Sequence, residues 1–237
     1  MATYKEINGT AVQNYAGDLP GAADGQLWYN STATNFKFQY AATAAAWSTG
    51  GNLNTGRKSL AGSGTQTAAL GFGGDTGSLS ALTESYNGSA WTEVNDLQTA
   101  RSRLAGAGTN TAALAFGGDN PTRTETEIWN GTNWTEVNNL GTGRYLLAGC
   151  GTNTAALGFG GYAPGAPTVN TETWNGTNWT EVNNLNTNRY NLSGAGTNTS
   201  AIAIGGTPAP TGNTELWNGT NWTVVNNLNT PRQAGTA

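Results

Sequence analysis

Residues 101–143 read RSRLAGAGTNTAALAFGGDNPTRTETEIWNGTNWTEVNNLGTG, and this stretch decides the fold. It divides into four strand-sized pieces. Arg101–Gly108 is built largely from small residues, and Thr111–Phe116 is apolar and stops at Gly117-Gly118. Glu125–Trp129 is the third piece, and Trp134–Val137 begins the fourth. Asn130-Gly131 lies between the last two; both residues tolerate positive φ, which signals a tight hairpin. Four short antiparallel strands in about 40 residues are the sequence form of one propeller blade. Blades bury both faces of their strands, so a clean polar–apolar alternation is not expected.

The same unit recurs along the chain. Leu-x-Thr-x-Arg occurs five times, with Arg57, Arg101, Arg144, Arg189 and Arg232 at spacings of 44, 43, 45 and 43 residues. A Trp stands ten residues before each Arg: Trp47, Trp91, Trp134, Trp179 and Trp222. Gly-Gly pairs recur in phase at 73–74, 117–118, 160–161 and 205–206. Tyr86, Trp129, Trp174 and Trp217 stand five residues before the last four Trp. Four complete units follow, 57–100, 101–143, 144–188 and 189–231.

The pattern predicts an all-β propeller of about five blades over residues 25–237. The fifth blade is expected to be sewn from 25–56 and 232–237, with Gln26–Asn30, Phe36–Ala41 and Ala45–Thr49 as strands two to four. Such a blade would close the ring and hide two sheet edges; closure through a neighbouring subunit is the alternative. Residues 1–24 form an N-terminal arm outside the repeat, read either as ordered and docked on a partner or as a loose tail.

Composition excludes several functions. The chain has no His and one Cys, which removes the usual acid–base catalyst, the commonest metal ligand and any intrachain disulfide. No catalytic residue, metal or cofactor is therefore expected. Ten basic against fourteen acidic residues give a net charge of −4, unsuited to nucleic acid. The N-terminus lacks the apolar core of a signal peptide, and no stretch approaches the roughly 18 apolar residues that span a bilayer. The expectation is a soluble product of the cytoplasm with no membrane insertion.

Most repeated residues read as structural. The Gly-x-Gly at 62–64, 106–108, 149–151 and 194–196 has no following Lys or helix, so it marks crowded innermost strands and not a phosphate loop. Cys150 occupies its middle slot in the third copy, as a small buried hydrophobe. The Trp ladder is read as packing between blades, with sugar stacking as the competing reading. Glu84, Glu127, Glu172 and Glu215 each precede the third-strand aromatic by two residues. Charges placed so regularly in a chain with 10% charged residues predict pairing of each repeat Arg with a Glu or with loop carbonyls. The Asn-x-Thr matches follow from hairpin chemistry and are not read as glycosylation sites.

Recognition is expected elsewhere. Connections between strands one and two, and between three and four, hardly change from unit to unit. Those between strands two and three differ in every unit: Asp75–Ala81, Asp119–Thr124, Tyr162–Asn170 and Thr207–Asn213. Variable loops on a rigid scaffold are where binding usually sits. Asp75, Asp119, Arg123, Tyr162, Pro164, Pro208 and Pro210 are the candidate binding residues, with neutral loop drift as the bland alternative.

The Arg opening strand one, the Gly-Gly after strand two, the third-strand aromatic and the fourth-strand Trp together resemble the kelch repeat over residues 57–231. WD40 repeats are excluded, because the chain has no His for Gly-His and no Trp-Asp pair. Gly25-Gln-Leu-Trp-Tyr-Asn-Ser-Thr32 with Phe36-Lys37 resembles segments of phage tail-fibre and related virion proteins, and a kelch-like array beside it resembles marine-phage structural proteins. The resemblance implies a non-enzymatic virion protein of appendage or adhesin type. It would be made in the host cytoplasm and built into the virion, with other virion proteins and a host surface glycan or protein as partners, and it is compatible with an oligomer. A head-decorating virion protein, or a cellular kelch-type scaffold or lectin, is the alternative. The enzyme reading is weakest: sialidase-type Ser-x-Asp-x-Gly-x-x-Trp boxes are absent, and Glu93, Glu136 and Glu181 are one repeated blade position, read as solvated or structural.

Overall fold

A computed structural model describes residues 13–17, 27–38, 49–119, 121–209 and 211–233. The chain divides into two compact units, 1–49 and 50–237. No described residue is helical, so among the described residues no helix is long and apolar enough to cross a membrane.

The first unit holds one three-stranded sheet of β1 (Gln13–Tyr15), β2 (Leu27–Asn30) and β3 (Asn35–Phe38). β2 and β3 form an antiparallel hairpin, and β1 runs parallel to β2, with Asn14 opposite Tyr29. Tyr29 and Phe36 meet edge to face at 5.2 Å, and Asn30 Oδ1 accepts the Ala33 amide at 2.9 Å to fix the turn.

The second unit is an all-β propeller of four blades. The first contains β4 (Ala61–Thr65), β5 (Ala68–Phe72), β6 (Thr83–Tyr86) and β7 (Trp91–Val94). The second contains β8 (Ala105–Gly108), β9 (Ala113–Phe116), β10 (Thr126–Trp129) and β11 (Trp134–Val137). The third contains β12 (Ala148–Gly151), β13 (Ala156–Phe159), β16 (Thr171–Trp174) and β17 (Trp179–Val182), with a small hairpin β14 (Tyr162–Ala163) and β15 (Ala166–Pro167) inserted after β13. The fourth contains β18 (Ser193–Gly196), β19 (Ala201–Ile204), β20 (Thr214–Trp217) and β21 (Trp222–Val225). Each blade is an antiparallel meander in chain order. The innermost strands pack in succession, β4 on β8, β8 on β12 and β12 on β18.

One interface, used three times, explains the repeat. Phe72, Phe116 and Phe159 on second strands are fully buried. Each meets the fourth-strand Trp of the next blade, Trp134, Trp179 and Trp222, at 4.8–4.9 Å. The indole N–H of each Trp donates back to a third-strand Thr of the preceding blade: Trp134 to Thr83 at 3.1 Å, Trp179 to Thr126 at 3.0 Å and Trp222 to Thr171 at 3.1 Å. The same Phe tip lies against an innermost-strand glycine of the following blade, Gly106, Gly149 or Gly194, where a Cβ would come within 2.5–2.7 Å of the ring. Small residues on the inner strand are thus the sockets for these rings. The Gly-Gly pair has a related role. The chain of the next blade crosses so closely that a Cβ on Gly73 would sit 2.7 Å from the Arg101 carbonyl oxygen, which instead accepts the Gly74 amide at 2.9 Å.

The blade count corrects the expected five. Leu27–Asn30 and Asn35–Phe38 are strands, but their sheet is completed by Gln13–Tyr15, so they belong with the N-terminal unit and not with a blade shared by both chain ends. The two compact units meet at residues 49 and 50, and Gln13–Tyr15, within the expected arm, is a strand. Trp47 and residues 234–237 lie outside the described residues. The end blades show the consequence within the propeller. Trp91 donates not to a Thr of a preceding blade but to the Gly51 carbonyl at 3.1 Å. A groove of about 390 Å³ runs along Leu60–Thr65, Ala69–Gly71 and Trp91.

Candidate functional site

In every blade the antiparallel order brings the approach to strand one and the connection from strand two to strand three to the same strand ends. The repeat Arg and Glu rigidify that edge. Arg101, Arg144 and Arg189 are wholly buried and pair with Glu127 at 3.0 Å, Glu172 at 2.9 Å and Glu215 at 2.9 Å. Arg57 pairs with Glu84 at 2.5 Å. Arg144 also donates to the carbonyls of Gly160 at 3.3 Å, Asn170 at 2.5 Å and Gly158 at 3.3 Å. The carboxylates have second donors: Glu172 accepts the Gly141 amide at 2.7 Å, and Glu127 the Gln98 amide at 2.8 Å. Each pair therefore ties a blade to the segment that arrives from the previous one.

Burial is the main electrostatic cost. It lowers the Arg144 guanidinium to about 10, against the opposing pull of Glu172. Glu127 is pushed above the usual carboxylate range by burial, which outweighs Arg101. Glu84 is also pushed upward by burial, but the Asn54 amide, Arg57 and the Thr55 amide hold it below that range. Arg232 departs from the other four: it is exposed, and among the described residues its side chain donates only from Nε to the Thr230 carbonyl, at 3.4 Å.

Above this girdle lies a ring of side chains that are not repeated. The residue after each repeat Arg bridges the residue after each Gly-Gly. The pairs are Lys58 with Asp75, Tyr145 with Tyr162 and Tyr190 with Thr207; Asp119 donates its amide to the Ser102 carbonyl at 3.0 Å in the same way. The following residue, Ser59, Arg103, Leu146 or Asn191, has φ of 53–56° in all four blades. A backbone chain links them, Arg103 N to Ser59 O, Leu146 N to Arg103 O and Asn191 N to Leu146 O, at 2.8–2.9 Å. Left-handed backbone costs a non-glycine residue about 1 kcal/mol, and this position carries Arg and Leu in a chain with 35 glycines. The same residues, with Leu60, Leu104, Leu147 and Leu192, line a cavity of about 60 Å³ where the four blades meet.

The ring holds one polar–aromatic cluster. Tyr145 and Tyr162 lie 5.4 Å apart at 36°, and Tyr162 and Tyr190 are 5.2 Å apart at 86°. The Arg103 guanidinium lies over the Tyr145 ring at 5.9 Å and pairs with Asp119 at 2.8 Å. Asp119 also accepts the Ser102 hydroxyl at 2.6 Å. Burial, with Tyr162 alongside, raises the Tyr145 hydroxyl above the usual phenol range.

Asp119 and Tyr162 are the two expected binding residues that the structure brings into this cluster. Asp75 lies on the first blade, where it accepts the Gly77 amide at 2.7 Å and faces Lys58 Nζ at 3.9 Å. Arg123 pairs with Glu125 at 2.8 Å. Pro164 is exposed in the β14–β15 hairpin, and Pro208 is exposed after Thr207. Pro210 lies outside the described residues. Arg103, Tyr145 and Tyr190 were not among the expected residues, because the segment after each repeat Arg reads as part of strand one. Variation within the repeat, Lys58, Ser102, Tyr145 and Tyr190 at one position, was the available signal. Glu93, Glu136 and Glu181 are exposed on the outer strands of separate blades and are not brought together.

Cys150 is buried within the innermost strand of the third blade. Its Sγ faces the Thr197 carbonyl at 3.6 Å, and burial pushes the thiol up to about 12. Native protein at pH 8 is expected to react with a thiol-specific disulfide reagent at least 100-fold more slowly than protein unfolded in guanidinium. Following the released chromophore checks this; rapid stoichiometric reaction of the native chain would contradict the burial.

No protein-family model matches the chain, and no curated protein matches it.

Proposed function

We propose that this chain is a non-enzymatic, kelch-like binding protein of a phage virion, of appendage or adhesin type. Its propeller would present a fixed face to a host surface or a neighbouring virion protein. The observation that carries the reading is the confinement of sequence variation to one set of strand ends. The Phe–Trp–Gly interfaces and Arg–Glu pairs recur almost unchanged, whereas Lys58/Asp75, Ser102/Asp119, Tyr145/Tyr162 and Tyr190/Thr207 differ at equivalent positions. A scaffold used only for shape has no need of such differences, and recognition on a rigid frame does. The virion assignment draws on the likeness of residues 25–37 to phage tail-fibre segments. Many copies on one particle would make individually weak contacts effective through avidity.

The test is particle composition. Phage particles purified from a lysate of cells carrying the gene should contain the chain at constant stoichiometry through successive density gradients, by quantitative mass spectrometry. Recovery of the chain only in the soluble cell fraction would refute the virion role.

A further inference from the structure

We infer that Tyr145, Tyr162 and Tyr190, with Arg103 and Asp119, form a carbohydrate-binding platform at the mouth of the propeller axis; this rests on reading the variable face as the contact face. The site is defined by what it keeps at positions where the fold asks for something else. Ser59, Arg103, Leu146 and Asn191 share a left-handed backbone that glycine would satisfy best, yet the second blade holds a long cation there. Three Tyr occupy positions where the first and second blades hold Lys58, Asp75, Ser102 and Asp119. The third and fourth blades are therefore furnished differently at the same backbone geometry, and the difference concentrates on neighbouring blades.

The chemistry of the cluster suits a sugar. Three partly exposed rings, Tyr145 and Tyr190 each against Tyr162, offer aromatic faces and edges at several inclinations. An aromatic face carries partial negative charge and attracts the weakly positive C–H face of a pyranose. Arg103 and Asp119 supply a donor fork and acceptor oxygens beside those rings, fixed by their own bond of 2.8 Å. The Arg103 side chain remains 47% exposed, so its other donors face outward. The Tyr145 and Tyr190 hydroxyls have no hydrogen-bond partner among the described residues, while Tyr162 donates to the Gly165 carbonyl at 3.3 Å. Charged side chains next to aromatic ones give directional bonds to vicinal hydroxyls.

Two other ligand types fit worse. The axial cavity of about 60 Å³ is far too small to enclose an organic ligand, for which pockets of about 300–1,000 Å³ are usual; binding at this mouth is shallow. Protein hot spots also use Tyr and Arg, but in well-packed, fully desolvated pockets, which this shallow mouth does not offer, and among the described residues no exposed aliphatic patch of the propeller adjoins it. The exposed large hydrophobics among the described residues are Phe36, Leu216 and Val224. Phe36 belongs to the N-terminal unit; Leu216 and Val224 lie on the third and fourth strands of the fourth blade, so neither of these two is at this site.

The repeat itself supplies variants that preserve the fold. Tyr162→Thr and Arg103→Asn each install the residue of the fourth blade, Thr207 and Asn191. Thr154→Ala, in a turn between strands one and two on the opposite side, is the control. The probes are purified bacterial capsular and O-chain polysaccharides printed on an array, read with the full-length protein, with melting curves confirming that each variant folds. Wild-type protein is expected to bind at least one polysaccharide, with a loss of tenfold or more in Tyr162→Thr and Arg103→Asn and no change in Thr154→Ala. Retention within twofold in both site variants would place binding elsewhere and overturn the inference. Absence of any polysaccharide binding would overturn the ligand class. Neither result bears on whether the chain is built into particles, which mass spectrometry reads separately.

Discussion

Arg144→Met lowers the stability of the propeller by about 4 kcal/mol, the usual cost of stranding one partner of a buried ion pair. In a unit of this size that corresponds to a fall in Tm of roughly 8–16 °C. The geometry explains why the loss is so large for a nearly isosteric change. Arg144 is fully buried, and its guanidinium serves Glu172 and three main-chain carbonyls, those of Gly158, Gly160 and Asn170. After the substitution Glu172 keeps the Gly141 amide but no countercharge. The carbonyls lose donors in a place where no exposed side chain can replace them. Arg144→Met/Glu172→Gln should recover part of the loss, since the stranded charge is then gone. Arg232→Ala is the decisive comparison. Arg232 belongs to the same Leu-x-Thr-x-Arg motif, but it is exposed and has no Glu partner among the described residues, so its removal should cost within about 0.5 kcal/mol. Thermal and denaturant unfolding of the three variants measures the difference. Equal costs for Arg144→Met and Arg232→Ala would show that the motif acts through something other than buried pairing.

The contrast between those two arginines shows how far the sequence could be read. Period, the four-stranded blade and the identity of the paired charges were legible because one interface is written several times over. Phe, Trp, Gly and Arg can each be recognised by recurring in phase. The number of blades was not legible for the opposite reason. Leu27–Asn30 and Asn35–Phe38 have the length and aromatic content of blade strands, but the sheet a hairpin joins is set by its partner. That partner, Gln13–Tyr15, is a three-residue polar strand with no periodicity to betray it. Strand ends also ran too far. Arg101–Gly108 looks like one extended piece, yet the strand begins at Ala105, because Arg103 turns into left-handed backbone. Non-glycine residues in that conformation leave no compositional mark. The same bend carries Tyr145 and Tyr190 to the variable face, so missing the bend meant missing two of the three tyrosines of the aromatic cluster. Asp119 and Tyr162 were found because they lie in connections whose length and composition change openly from unit to unit.

Gly149→Ala should be nearly as damaging as the loss of Arg144, although it adds one methyl group. A Cβ at Gly149 would lie 2.5 Å from the tip of the Phe116 ring, 3.1 Å from the Gly106 carbonyl oxygen and 3.3 Å from the Ala105 Cβ. None of these neighbours can yield easily. Phe116 is fully buried and held at 4.8 Å against Trp179, and Gly106 is fixed in the inner strand of the second blade by its pairing with Ala115. Overpacking of this kind costs about 3 kcal/mol, and here it acts on the contact that joins two blades. Gly56→Ala tests whether the effect is steric or a general intolerance of side chains at glycine. Gly56 stands just before its repeat Arg, no described atom lies within 4 Å of its would-be Cβ, and the equivalent positions hold Ala100, Gly143, Asn188 and Pro231. Its replacement should be neutral or stabilising by up to about 1 kcal/mol, through the smaller conformational freedom of the unfolded chain. If the two alanine variants unfold at the same denaturant concentration, the inner-strand glycines are not sockets for the phenyl rings, and packing between blades must be explained by other contacts.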